Sequence, residues 1–199
     1  MTDEGGQPAH GGRPSHLPQG VSIEGLAIVS ADGMIADAAG VQPDGLKLEV
    51  DQRFFHDHLR AADVLVHGRN SGEGGSARRR RIVVTRRVPD VARDPANAMA
   101  VLWNPAGGPF EAAWALTGVG TGSAAIIGGT VVFGLFLEWG FDVFHLSRAG
   151  GLRLPGGRPV FPGIPPATAE ALLARHGLKP GPVQVLDDKA GLTMVTWQR

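Results

Sequence analysis

The sequence contains no cysteine. That excludes a disulfide framework, a thiolate nucleophile and a cysteine-ligated metal. It also lacks net charge: 19 Lys and Arg balance 19 Asp and Glu. No global field therefore draws in nucleic acid or an anionic membrane. Long apolar runs are missing too; the longest, 124–137, is interrupted by Gly128, Gly129 and Gly134 and cannot span a bilayer. There is no internal repeat, no GxGxxG fingerprint, no nucleophile elbow and no deaminase-like zinc signature. His56 and His58 sit two apart on a helical segment, so they diverge and do not form a metal pair. Ser147 has no base at a recognisable spacing, and His145 reads as an ordinary buried or edge histidine. These absences predict a protein without metal, nucleic-acid or membrane partners.

What is present suits one globular domain. The 199 residues are 43% hydrophobic, enough to bury a substantial core. Residues 1–20, rich in Gly, Pro and His, read as a disordered tail with neither the apolar centre of a signal peptide nor the arginine-rich pattern of a transit peptide. Residues 21–199 form the expected domain, and a cytoplasmic location is the expectation that goes with it.

Along the chain, strand and helix patterns alternate. "VSIEGLAIVSADGMIAD" (21–37) reads as a strand, a turn at Asp32-Gly33 and a loop. A helix over 51–62 places Phe54, Phe55, His58, Leu59 and Ala62 on one face. Strands follow at 63–68, 81–85, 98–103, 123–127 and 141–147, with helices at 109–116, 130–139 and 166–177. The C-terminal stretch forms a hairpin around Asp188–Gly191. This order predicts an α/β fold: a mixed, mostly parallel sheet with helices on both faces and an antiparallel C-terminal edge.

Three strand ends carry anion-friendly residues. "VLVHGRNS" (64–71) runs from a buried strand into Gly68, Arg69, Asn70 and Ser71, a place suited to phosphate, although a glycine turn with a serine cap would look the same. "GRNSGEGG" reads as a polar turn or helix start. "RIVVTRRVP" (81–89) brings Thr85, Arg86 and Arg87 to the next strand end. It suits a phosphate monoester such as the 2′-phosphate of NADPH, or is simply a solvated basic loop continuing Arg78–Arg81. "IIGGTVVF" enters a helix through Gly128-Gly129, with Thr130 and Val131 in its first turn. Missing side chains there let a ligand approach the backbone. Asp51 shares a helix face with Phe54 and Phe55. It is either a partly buried carboxylate able to bind an amidine-like edge of a heterocycle, or the helix N-cap.

Taken in order, these segments resemble the dihydrofolate reductase family and its relatives, the riboflavin-pathway reductase domains, over roughly 21–162. "AIVSADGMIA" resembles the first strand and the loop that closes over nicotinamide. "DQRFF" with "VLVHGRNS" is similar to the helix bearing the acidic residue and the following Gly-Arg turn. "IVVTRR" resembles the 2′-phosphate segment and "IIGGTVVFGLFL" the Gly-Gly element, while "FDVFHLSRAGGLRLPGGRPVFPG" is similar to the tail of the riboflavin-type branch. The resemblance implies a three-layer dihydrofolate reductase-like sandwich. It implies NADPH gripped by Gly68, Arg69, Asn70, Ser71, Thr85, Arg86, Arg87, Gly128, Gly129, Thr130 and Val131. It also implies a planar heterocyclic substrate at Asp32, Asp51 and Phe55, with Asp51 as the catalytic acid residue, and a homodimer by analogy with the riboflavin-type branch.

The sequence departs from both branches on the substrate side. Where folate reductases use a strand threonine to support the acidic residue, the matching place holds Leu146, and Ser147 is expected on the other face. Met34 replaces the riboflavin-type lysine, Asp142-Val143 replaces an acidic pair, and Phe133 lacks the hydroxyl of the folate branch's phosphate-binding aromatic. The reading is therefore an NADPH-dependent reductase acting on a pteridine- or pyrimidine-type C=N. The alternatives are a non-catalytic NADPH-binding domain of the same fold and, from the basic loop alone, a nucleic-acid binder.

Overall fold

The computed structural model describes residues 17–71 and 78–199. The predicted tail lies outside these residues up to position 16, as does the 72–77 part of the segment read as a turn or helix start. Leu17, within the stretch read as a tail, is buried in the main core.

The strands are β1 (Val21–Ser30), β2 (Met34–Ala36), β3 (Val64–Gly68), β4 (Arg81–Val84), β5 (Val91–Arg93) and β6 (Ala100–Trp103). They continue with β7 (Gly122–Ile126), β8 (Val143–Ala149), β9 (Arg158–Pro159), β10 (Lys179–Asp187) and β11 (Leu192–Gln198). Helices α1 (Glu49–Ala61), α2 (Phe110–Leu116), α3 (Thr130–Trp139) and α4 (Ala169–Arg175) lie between them. The main sheet has nine strands in the order β10-β11-β8-β1-β7-β3-β4-β6-β5. From β8 to β6 neighbouring strands are parallel, while β11 and β10 on one edge and β5 on the other pair antiparallel.

The strand sequences explain the layering. β3 is almost wholly apolar because both of its faces are covered. Val64 and Val66 point into the main core, and Leu65 joins a second cluster with Leu26, Leu59, Ala62 and Ala125. Among the described residues, α1 packs on that second face, and a 3-10 turn at 44–46 adds Leu46 against Ile28 beside it. Helices α2, α3 and α4 cover the other face through Phe110, Phe133, Phe136 and Leu173, among others. In β1, Gly25 is a packing requirement: a Cβ there would stand 2.2 Å from the Phe144 ring and 2.8 Å from that of Phe141.

Two features departed from expectation. The strands β5 and β9 have three and two residues, too short for periodicity to mark them. The Arg78–Arg81 run is not simply a solvated loop. Arg81 is buried in β4, and the Arg79 guanidinium donates to the Arg60 and Ala62 carbonyls at the end of α1, satisfying acceptors that a helix terminus leaves open.

Candidate active site

A cleft of about 1310 Å³ opens across the carboxyl ends of β1, β3, β4 and β7, between α1 and α3. This is where ligands bind in open α/β sheets. Every residue expected to hold the cofactor lines it, from Gly68–Ser71 through Thr85–Arg87 to Gly128–Val131. Asp51 and Phe55 line it as well.

The half of the cleft where the cofactor is expected is built from backbone. Gly68 N–H donates to the Gly128 carbonyl at 2.8 Å, tying the end of β3 to the glycine pair, and Ser71 N–H returns to the Gly68 carbonyl at 2.9 Å. The peptide between Gly128 and Gly129 is cis. Gly129 is the N-cap of α3 and has no side chain with which to cap it. The first N–H groups of that helix are thus left for another acceptor. A Cβ on Gly129 would meet only Ser71 Oγ at 3.6 Å and Ile35 Cδ1 at 4.0 Å, both at ordinary contact distance and both in the cleft wall. The fold therefore has room for a side chain here, and what the glycine preserves is space in the cleft. Thr130 turns its hydroxyl away to the Pro159 carbonyl. At the far end, Thr85 Oγ1 accepts from Arg87 N–H at 3.2 Å, and Arg69, Arg86 and Arg87 form no ion pair among the described residues. An uncapped helix start, a glycine cradle and three uncommitted guanidinium groups fit a phosphorylated dinucleotide.

The half where the substrate is expected is built from side chains. Asp51 lies in the first turn of α1, is 7% exposed, and is the only carboxylate in the cleft wall among the described residues. The N-cap is Leu48, so the capping reading of Asp51 does not hold. Burial pushes the Asp51 carboxyl up from its ordinary pKa, and a hydrogen bond from the Ser147 hydroxyl partly offsets this. The face assignment on β8 is thereby corrected. Phe144 and Leu146 point into the main core, so Ser147 points to α1 and reaches Asp51. In a strand, one residue of register exchanges the two faces.

Asp32 does not line the cleft and is corrected as a substrate residue. Its carboxylate accepts the Leu154 N–H at 3.0 and 3.1 Å and the Ser30 hydroxyl at 2.5 Å, an Asx-type tie that holds the loop. Met34 is buried in the core, and Asp142 accepts the Ile23 N–H at 2.8 Å. Neither lines the cleft, so both riboflavin-type substitution sites serve the fold here. Phe133 is 2% exposed and packs beneath Gly128. Sequence reasoning missed Phe54, His145, Ser147 and Arg158 as cleft residues. For His145 and Ser147 the signal was present: polar residues alternate with Phe144 and Leu146 along β8.

No family model and no curated protein matches the chain. Solved structures do. A protein ascribed to riboflavin biosynthesis from Shewanella sp. PV-4 superposes with a TM-score of 0.60 at 21% identity, over 89% of this chain and 98% of that one. Dihydrofolate reductase from Enterococcus faecalis, complexed with NADP(H) and RAB-propyl, gives 0.59 at 20% identity, over 92% and 98%. A diaminohydroxyphosphoribosylaminopyrimidine deaminase/5-amino-6-(5-phosphoribosylamino)uracil reductase from Thermotoga maritima gives 0.58 at 18% identity, over 89% of this chain and 56% of that longer one. The chain has the dihydrofolate reductase-like fold, as the ordered motifs implied.

Proposed function

We propose that this protein is an NADPH-dependent reductase that delivers hydride to a C=N carbon of a pteridine- or pyrimidine-type heterocycle. The observation that carries the reading is one cleft holding both the uncapped Gly128-Gly129 helix start and the buried Asp51. NADPH, when bound, supplies the hydride. Gly68–Ser71 and Gly128–Val131 would hold its pyrophosphate, and Thr85, Arg86 and Arg87 its 2′-phosphate. Asp51 accepts hydrogen bonds from an amidine-like edge of the substrate, and Phe54 and Phe55 pack against the ring. Ser147 keeps the Asp51 carboxylate oriented. The chain's contribution is orientation and electrostatics, with water supplying the proton.

The test is a calorimetric titration with NADPH and NADH, followed by an assay of NADPH oxidation with dihydrofolate and with the phosphoribosylaminopyrimidine. NADPH should bind at micromolar Kd, roughly −8 kcal/mol, and tighter than NADH. Turnover with one substrate class assigns the branch. Binding without turnover on any pterin or aminopyrimidine would make this a non-catalytic NADPH-binding domain. Failure of both nucleotides to bind would end the reading.

A further inference from the structure

His145 sits on β8 two residues before Ser147, on the same face of the sheet and in the same cleft wall as Asp51. Two residues of strand separate positions by about 7 Å, a distance a single heterocyclic ring with its substituents can bridge. Three contacts fix the imidazole. Its Nδ1 is 3.0 Å from the Thr196 hydroxyl on β11, its ring meets Phe54 edge-on at 5.1 Å, and the His58 ring lies at 4.7 Å. Nε2 makes no hydrogen bond among the described residues. Burial, reinforced by His58, lowers the pKa of His145 to about 4, so the ring is neutral at physiological pH and Nε2 acts as a single donor or acceptor without charge.

We propose that His145 is a second substrate-recognition group, its Nε2 hydrogen-bonding a carbonyl or amino substituent on the ring whose amidine edge Asp51 holds. The inference rests on the reductase reading of the cleft. It narrows the substrate to heterocycles polar at two positions: one edge for the carboxylate and one substituent for the imidazole. The ring position is prepared in advance by Thr196 and Phe54, so little rotamer entropy is lost on binding.

The test uses the full chain saturated with NADPH and three small probes: 2-aminopyrimidine, 2,4-diaminopyrimidine and 2-amino-4-hydroxypyrimidine. All three present the amidine edge, and only the last two carry the extra substituent. His145→Phe, which keeps a ring against Phe54, should weaken one of the two substituted probes about 5- to 10-fold, the worth of one hydrogen bond. It should leave 2-aminopyrimidine within about twofold. His145→Gln should restore part of the loss. In the wild-type protein the same probe should shift the ¹⁵N resonance of His145 Nε2, and 2-aminopyrimidine should not. Equal losses for all three probes, or an unmoved Nε2 resonance, would overturn the role of His145 alone. Retained NADPH binding with no binding of 2-aminopyrimidine would instead overturn Asp51 as the anchor, and this proposal with it.

Discussion

The two halves of the cleft are built by different means. On the cofactor side, main-chain groups from Gly68, Gly128 and the start of α3 form the surface, and the glycines matter for what they leave out. On the substrate side, Asp51, Ser147, Phe54 and His145 project from one helix and one strand, and their identities decide what fits. Backbone geometry survives sequence change as long as the fold does. Side-chain chemistry changes with a single substitution.

Substitutions can break this comparison, starting with the largest expected effect. Asp51→Asn should lower turnover on order of 10²- to 10³-fold while changing NADPH affinity less than about twofold, read by steady-state kinetics beside calorimetry. A parallel loss of cofactor affinity would show that the halves are not separable. The same variant should be more stable than wild type at neutral pH. The raised Asp51 pKa means that ionisation disfavours the folded state, a cost absent below the unfolded value and growing as pH rises through the folded one. The excess in Tm should therefore vanish on acidification.

Next, removing both guanidinium groups by Arg86→Ala with Arg87→Ala should weaken NADPH about 10- to 100-fold and leave NADH nearly unchanged. Equal weakening of both nucleotides would move the 2′-phosphate elsewhere. A smaller loss, about 10-fold, is expected for NADPH with Gly129→Ala, with Tm held near wild type because the new methyl meets only cleft atoms. Gly25→Ala is the control: its methyl would collide with Phe144 and should lower Tm sharply. The smallest effect belongs to Ser147→Ala. Losing the hydrogen bond to the ionised form should raise the Asp51 pKa further, so the acid limb of the pH–rate profile should move to higher pH with a few-fold loss in turnover.

The fold was legible because its elements are long or strongly patterned. The helix predicted at 130–139 is α3 to the residue, and the nearly all-apolar 63–68 contains the interior strand β3. β5, β2 and β9 escaped notice because two or three residues carry no period, and their pairing depends on partners distant in sequence. In the site, Gly128-Gly129, Gly68 and the Thr85–Arg87 segment were visible as local strings. The facing of Ser147 was not legible because alternation separates Leu146 from Ser147 without saying which of the two turns to α1; that is decided by packing, which takes Phe144 and Leu146 into the main core. Asp32 was misread because a turn aspartate looks the same whether it binds a ligand or, as here, the Leu154 backbone. His145 gained its place from Thr196 and Phe54, each far from it in the chain.

The two-residue strand β9 touches both halves at once. Arg158 pairs with Ala36, rests its guanidinium against Gly40 and reaches toward the Ala39 carbonyl, while the next residue, Pro159, accepts the Thr130 hydroxyl at the first position of α3. The 37–41 loop and the start of α3 are thus fastened to the same short rod. A transplanted 37–41 loop would arrive without its anchor unless residues 158–159 travelled with it, and a designer wishing to change one ligand would find the other ligand's seat moving too.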